Sequence, residues 1–181
     1  MAEEKIKMMS HVTPKMMIGW REWVSLPGLC LPVIKGKLDT GARTSSLHAF
    51  NIEPFYDRGH LKVSFQVHPL HNHPEIVVTC SANVVDYRSV SDSGGHREKR
   101  YVIETEMLIG DLSMTIEVTL ANRESMTHKM LIGRAAMKQL MINPGRTFML
   151  GKPAKITSAY TDKIASKPLK KNPKKKRIRK K

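Results

Sequence analysis

Cysteine, aromatic residues and long apolar runs are all scarce in this chain of 181 residues. There are two cysteines, Cys30 and Cys80, fifty positions apart and outside any Cys-x-x-Cys pair. That spacing excludes a disulfide-stapled scaffold and a four-cysteine zinc site, and fits two reduced thiols in a cytosolic protein. No run approaches the ~18 apolar residues a spanning helix needs, so no membrane segment is expected. The first residues, MAEEKIKMMSHVTPKMM, carry early acids and no sustained apolar core, which makes a poor secretory signal. The expected location is the cytoplasm. Acidic residues are also few: 16 against 31 Lys and Arg, a formal charge of +15.

That charge is unevenly placed. Residues 163–181, KIASKPLKKNPKKKRIRKK, hold 11 basic and no acidic side chains, which leaves 20 basic against 16 acidic residues elsewhere. A Lys- and Pro-rich run without apolar periodicity cannot offset its ordering entropy, so disorder is expected there. Such a run neutralises phosphates without reading sequence, and contact with RNA or the ribosome is the partner it suggests. The plainer reading is a solubilising tail.

From Gly19 onward, short apolar runs alternate with Gly, Pro, Asn and Asp. The expected strands are 19–24, 30–38, 44–52, 61–67, 76–90, 101–109, 114–120, 129–132 and 147–150. The Gly110-Asp111-Leu112-Ser113 break predicts a tight hairpin. One stretch alone reads helical, Arg134–Ile142, stopped by Asn143-Pro144-Gly145. Many short strands and one late helix predict a compact all-β barrel or sandwich rather than βαβ units. The expected organisation is a loose leader at 1–17, one domain at 18–153, and a basic disordered tail at 154–181.

Two motifs carry chemistry. Lys37-Leu38-Asp39-Thr40-Gly41-Ala42 follows one apolar strand and precedes another, so it sets a carboxylate on a sharp turn with backbone N–H groups nearby. Downstream, Met130-Leu131-Ile132-Gly133-Arg134 is an apolar run ending in Gly-Arg. Together, in this order and with several strands between, they resemble the retropepsin-like aspartic proteases. Over about 19–151 the chain resembles more closely a bacterial family labelled ATP-dependent zinc protease, whose members look like cellular retropepsins. Trp23 with Leu26-Pro27, KLDTGARTSSLHAFNI (37–52), YVIETEMLIG (101–110), IEVTLANRESM (116–126) and MLIGRAAM (130–137) carry that likeness.

The label fits these residues poorly. Gly36-Lys37 is followed by Leu38 and Gly151-Lys152 by Pro153, so no phosphate-cradling GxxxxGK[ST] is present. No His is followed by Glu, which removes HExxH. His68, His71 and His73, with Cys80 beyond, are zinc-ligand types, but the intervening prolines and Asn72 favour a solvated polar loop. Neither a metal nor a cofactor is expected.

The resemblance implies a closed retropepsin-like barrel with one short C-terminal helix, working as a homodimeric aspartic endopeptidase. Asp39 from each subunit would activate water, since the chemistry needs two carboxylates sharing one proton and the chain has a single Asp-Thr-Gly. Thr40 would buttress the opposing loop and Gly41 would admit the substrate backbone. Ala42, Arg43 and a flap tip at Gly94 and Gly95, within 91–96, would line the substrate, with Gly133 and Arg134 as structural support. Arg43 stands where the viral pattern has an acid that pairs with the later Arg. Arg134 would then need another acid (Asp86, Asp92 or Glu124), and Arg43 either faces the cleft or pairs on the surface. Relatives associated with an ATP-grasp glutamate ligase make acidic, glutamate-rich peptides the expected substrate. The rival expectation is a non-hydrolytic peptide- or polyanion-binding module acting near the ribosome through its tail.

Overall fold

The computed structural model describes residues 16–91, 95–122, 127–154 and 156–161, and these are almost entirely β. The strands are β1 (Met16–Gly19), β2 (Arg21–Leu26), β3 (Leu31–Asp39), β4 (Ser45–His48), β5 (Phe50–Asp57), β6 (His60–Val67), β7 (Val78–Ser91), β8 (Arg97–Ile109), β9 (Leu112–Ala121), β10 (Met130–Gly133) and β11 (Leu140–Asn143). Nine of them form one sheet in the order β2-β3-β10-β4-β9-β8-β7-β6-β5, and a further pairing of β2 with β8 closes six of them into a ring. β7, β6 and β5 extend from that ring as antiparallel neighbours.

The period-2 pattern explains the packing. Along β2, Glu22, Val24 and Leu26 are buried while their neighbours are half-exposed, and β6 buries Val63, Phe65 and Val67 in the same way. Leu26, Leu31, Ile34, Leu47, Phe65, Ile103, Met107 and Ile132 meet inside the ring as one core. A Cβ at Gly36 would lie 2.6 Å from Ile132 Cδ1, so a side chain there would push the Ile132 side chain aside. The Gly110-Asp111 turn joins β8 to β9 as expected, with Ile109 opposite Leu112 and Gly110 at φ 53°.

Three expectations need correction. Arg134–Ile142 is not a helix: a 3-10 turn at Arg134–Ala136 leads into β11, which pairs in parallel with β1 from Met16↔Leu140 to Gly19↔Asn143. Helix propensity in RAAMKQLMI loses to a partner strand more than 120 positions away, which supplies ladder hydrogen bonds that the local sequence cannot reveal. β1 also takes in Met16 and Met17, the end of the expected leader. Residues 147–150 form turns rather than a strand, drawn in by the buried carboxylate of Glu22, which accepts from the N–H groups of Gly19 (2.7 Å), Met149 (2.8 Å) and Leu150 (3.4 Å).

The third correction concerns 154–161, expected to be part of the disordered tail. Tyr160 is fully buried, its hydroxyl donating to the Val33 carbonyl and accepting from the Val33 N–H at 3.3 Å. An aromatic ring and a satisfied hydroxyl anchor a segment that composition alone assigns to the tail. Residues 163–181 lie outside the described set, as do 1–15.

Burial pushes the Tyr160 phenol up to about 12 from its ordinary 10. The neutral form is therefore favoured in the folded chain, and the stability this gives is full below pH 10 and lost as pH rises from 10 toward 12. Tyr160→Phe should cost about 1 kcal/mol at neutral pH. Measured by urea unfolding, the variant should also lose less stability than wild type between pH 10 and 12.

Candidate active-site turn and its family

β3 ends at Asp39, and β10 lies parallel to it with Gly133 opposite Asp39. This pairing brings two motifs ninety residues apart into one small structure. The Ala42 N–H donates to the Asp39 carbonyl (3.2 Å), closing the turn, and the Gly41 N–H donates to Asp39 Oδ1 (3.0 Å). A Cβ on Gly41 would lie 3.2 Å from that same oxygen, so glycine lets the carboxylate fold back on its own loop.

The second motif locks the first. The N–H groups of Arg134 and Ala135 donate to the carbonyls of Ala42 (2.9 Å) and Arg43 (3.0 Å). The Arg134 guanidinium Nη1 donates to the carbonyls of Thr40 (2.6 Å) and Gly41 (3.0 Å). The Gly133 N–H donates to Ser45 Oγ at 3.1 Å, and the Ser45 carbonyl accepts from Thr119 Oγ1 at 3.2 Å. Glycine is needed at 133 because a Cβ would sit 2.5 Å from the Thr44 carbonyl carbon and 2.6 Å from the Arg43 oxygen.

Among the described residues Arg134 enters no ion pair and satisfies two turn carbonyls instead, so the expected pair with Asp86 is not formed. Asp86 is taken by Arg88 (2.8 Å), which also holds Glu117 (2.6 Å) and Thr44 Oγ1 (3.2 Å). The bonds to Glu117 and then Asp86 raise Arg88 above the ordinary arginine pKa. Asp92 and Glu124 lie outside the described residues.

The turn presents a half-buried Asp39, a half-buried Ala42, and exposed Thr40, Gly41 and Arg43. Arg43 is exposed, four positions after Asp39, and enters no ion pair among the described residues. The expected flap segment 91–96 falls at the end of the β7–β8 hairpin, which is registered from Val84↔Ile103 to Ser91↔Arg97. Gly95 is exposed at φ 81° just before β8, and no hydrogen bond ties it to the turn; Gly94 lies outside the described residues. Ser45 and Arg88 escaped sequence reasoning. The Ser-Ser pair after the turn was visible, but only register shows that one hydroxyl reaches Gly133.

The three loop histidines do not converge. His68 Nδ1 lies 3.3 Å from the Ile76 carbonyl and its ring stacks on Phe50, while His73 Nδ1 meets Glu75 at 2.9 Å. Among the described residues no group of three His, Cys, Asp or Glu side chains could hold a metal ion. Neither Cys30 nor Cys80 is in a disulfide, and the Cys80 thiol donates to the Leu29 carbonyl (3.2 Å). Among those residues, too, no helix is long and apolar enough to cross a membrane, which says nothing of strands.

An Asp-Thr-Gly turn ending one strand, clamped by a Gly-Arg strand in parallel register within a closed all-β ring, defines the retropepsin-like class. Within it the chain belongs to the RimB-like family, described as "Retropepsin-like aspartic endopeptidase RimB", which matches residues 17–153. A protein from Shewanella pealeana named "Probable alpha-L-glutamate ligase" is 42% identical over 156 residues, covering 84% of this chain and 34% of that protein. One of the same name from Parasynechococcus marenigrum is 45% identical over 141 residues, covering 77% and 30%. The chain thus spans about a third of the length of the curated relatives it matches. The crystal structure of a Legionella pneumophila protein of unknown function superposes with a TM-score of 0.63 at 28% identity, covering 75% of this chain and 98% of that one.

These relatives overturn the functional expectation. Proteins 42–45% identical carry the name of a glutamate ligase, not of an ATP-dependent zinc protease, and homodimeric peptide-bond hydrolysis is not supported. The retropepsin-like fold stands; the endopeptidase activity read from it does not.

The clamp yields a direct test. Gly133→Ala forces a methyl into backbone atoms that have no room to move and should cost about 3 kcal/mol in urea unfolding. Arg134→Met should cost about half of that, because the turn carbonyls it abandons regain water.

Proposed function

We propose that this chain is a substrate-handling module of alpha-L-glutamate ligation, which binds the acidic, glutamate-bearing peptide chain at the turn from Asp39 to Arg43. The observation that carries this reading is the match itself. Most of this chain corresponds to about a third of proteins named for glutamate ligation, as a module within a larger machine would. The exposed guanidinium of Arg43, in no ion pair among the described residues and on a turn braced by Arg134, supplies suitable chemistry: a planar fork that takes a carboxylate bidentately. Two such modules working as a homodimer would present two Arg43 groups to one acidic chain, with 163–181 reaching RNA or the ribosome beside it.

The test is equilibrium binding of peptides ending in one to four glutamates, against glutamine-ended controls. Affinity should rise with each glutamate, and Arg43→Gln should lower it roughly ten- to a hundredfold, the worth of one charge-assisted bond. Arg43→Lys should restore only part, since an ammonium lacks the fork. Equal binding of glutamate- and glutamine-ended peptides would overturn the reading. Deleting 163–181 should leave this affinity unchanged and remove RNA retention on a filter, with log K falling linearly against log salt in the intact chain.

A further inference from the structure

We propose that a second anion site lies away from the Asp39 turn, in a lysine-rimmed cavity built to take the separated carboxylates of glutamate or of a glutamyl chain end. The cavity measures about 360 Å³, within the range of about 300–1,000 Å³ that ligand pockets occupy. Lys35, Lys129, Lys152 and His71 line it, with Trp23 and the buried Leu70 among the apolar lining. Lys35 stands four residues before Asp39 on β3, which at strand rise places its Cα about 13 Å away.

The charge balance is one-sided. No Asp or Glu lines the cavity among the described residues, and Glu75 nearby is engaged with His73. Lys35 is held below the ordinary lysine pKa, first by burial and then by repulsion from Arg21 and Lys152. Its ammonium lies over the Trp23 ring at 5.0 Å, a contact that fixes the charge in place without neutralising it. Arg21 is packed between Trp20 and Phe148, at 5.0 and 4.9 Å, and cannot swing away to relieve the field. An anion would relieve it.

Geometry selects the anion. Lys35 comes from β3, His71 from the loop after β6, Lys129 from the approach to β10, and Lys152 from the segment after β11. The lysines therefore reach one cavity from separate segments of the chain, and Lys35 and Lys152 are near enough to repel each other. The features that select phosphate most strongly, a nest of backbone N–H groups at glycines or a guanidinium fork, are missing, since the lining includes no arginine and no glycine. Two carboxylates joined by methylenes suit the arrangement, with the carbon chain against Trp23 and Leu70. The site goes beyond the Arg43 reading and rests on it only for the choice of glutamate as probe.

Trp20 and Trp23 are the only tryptophans of the chain, so Trp20→Phe leaves Trp23 as the sole fluorescent reporter. Titration of this variant at low salt with L-glutamate, with triglutamate and with inorganic phosphate reads the site directly. A saturable Trp23 response to glutamate or triglutamate is expected. It should be weakened at least tenfold by Lys35→Gln with Lys152→Gln and left unchanged by Lys138→Gln or Arg43→Gln. Equal affinity for glutamate and triglutamate assigns the free amino acid, and tighter triglutamate assigns the chain end. In unmodified protein, triglutamate should slow acetylation of Lys35 and Lys152, read by mass spectrometry, so that a damaged variant cannot hide the result. Tighter binding of phosphate, or a response unaffected by the lysine substitutions, would overturn the site. Loss of peptide binding in Arg43→Gln with the Trp23 response intact would separate the two sites.

Discussion

The parallel pairing of β3 with β10 is the constraint on which the site depends. It sets Gly133 beside Asp39, so that the next residue, Arg134, can send its guanidinium to the carbonyls of Thr40 and Gly41. Without that register the Asp39 turn would be an ordinary solvated loop. Two absent side chains make the approach possible: Gly36 leaves room for Ile132, and Gly133 for the backbone of Arg43 and Thr44. Because Thr40 and Gly41 are exposed, the clamp exchanges water for protein partners at their carbonyls, and its effect is to order the turn.

What the sequence could and could not show follows from the range of each interaction. Alternating runs such as LKVSFQV report their own burial, so β6 was readable in place, as was the Gly110-Asp111 turn. The conjunction of LDTGA with LIGR was readable as a likeness of class. The exchange of helix for β11 was not, because its cause is Met16–Gly19 at the other end of the chain. Nor was the partner of Arg134, since a charge in a sequence suggests an opposite charge while a carbonyl carries no sequence signal. Tyr160 was hidden by its neighbours: one aromatic in a polar, basic context looks like tail until its ring is seen inside the core.

The family and the relatives carry different names. The family is described as a retropepsin-like aspartic endopeptidase, while the curated relatives, matched over about a third of their length, are named for glutamate ligation. Fold alone licenses no chemistry. What the two named cationic features share is a sign: Arg43 beside the turn and Lys35 four residues upstream both offer positive charge from the same strand-and-turn unit. A rigid β scaffold is well suited to that task, because it holds like charges together that a flexible segment would let drift apart.

The Tyr160 hydroxyl bridges the N–H and carbonyl of Val33, 127 positions earlier. The stretch by which the family is recognised ends at residue 153, but the packed core extends past it to Tyr160. Kinship and packing thus draw different borders on the same chain. A fragment trimmed to the recognised stretch would keep every motif and still have a hole beside β3, where a ring of six carbons belongs.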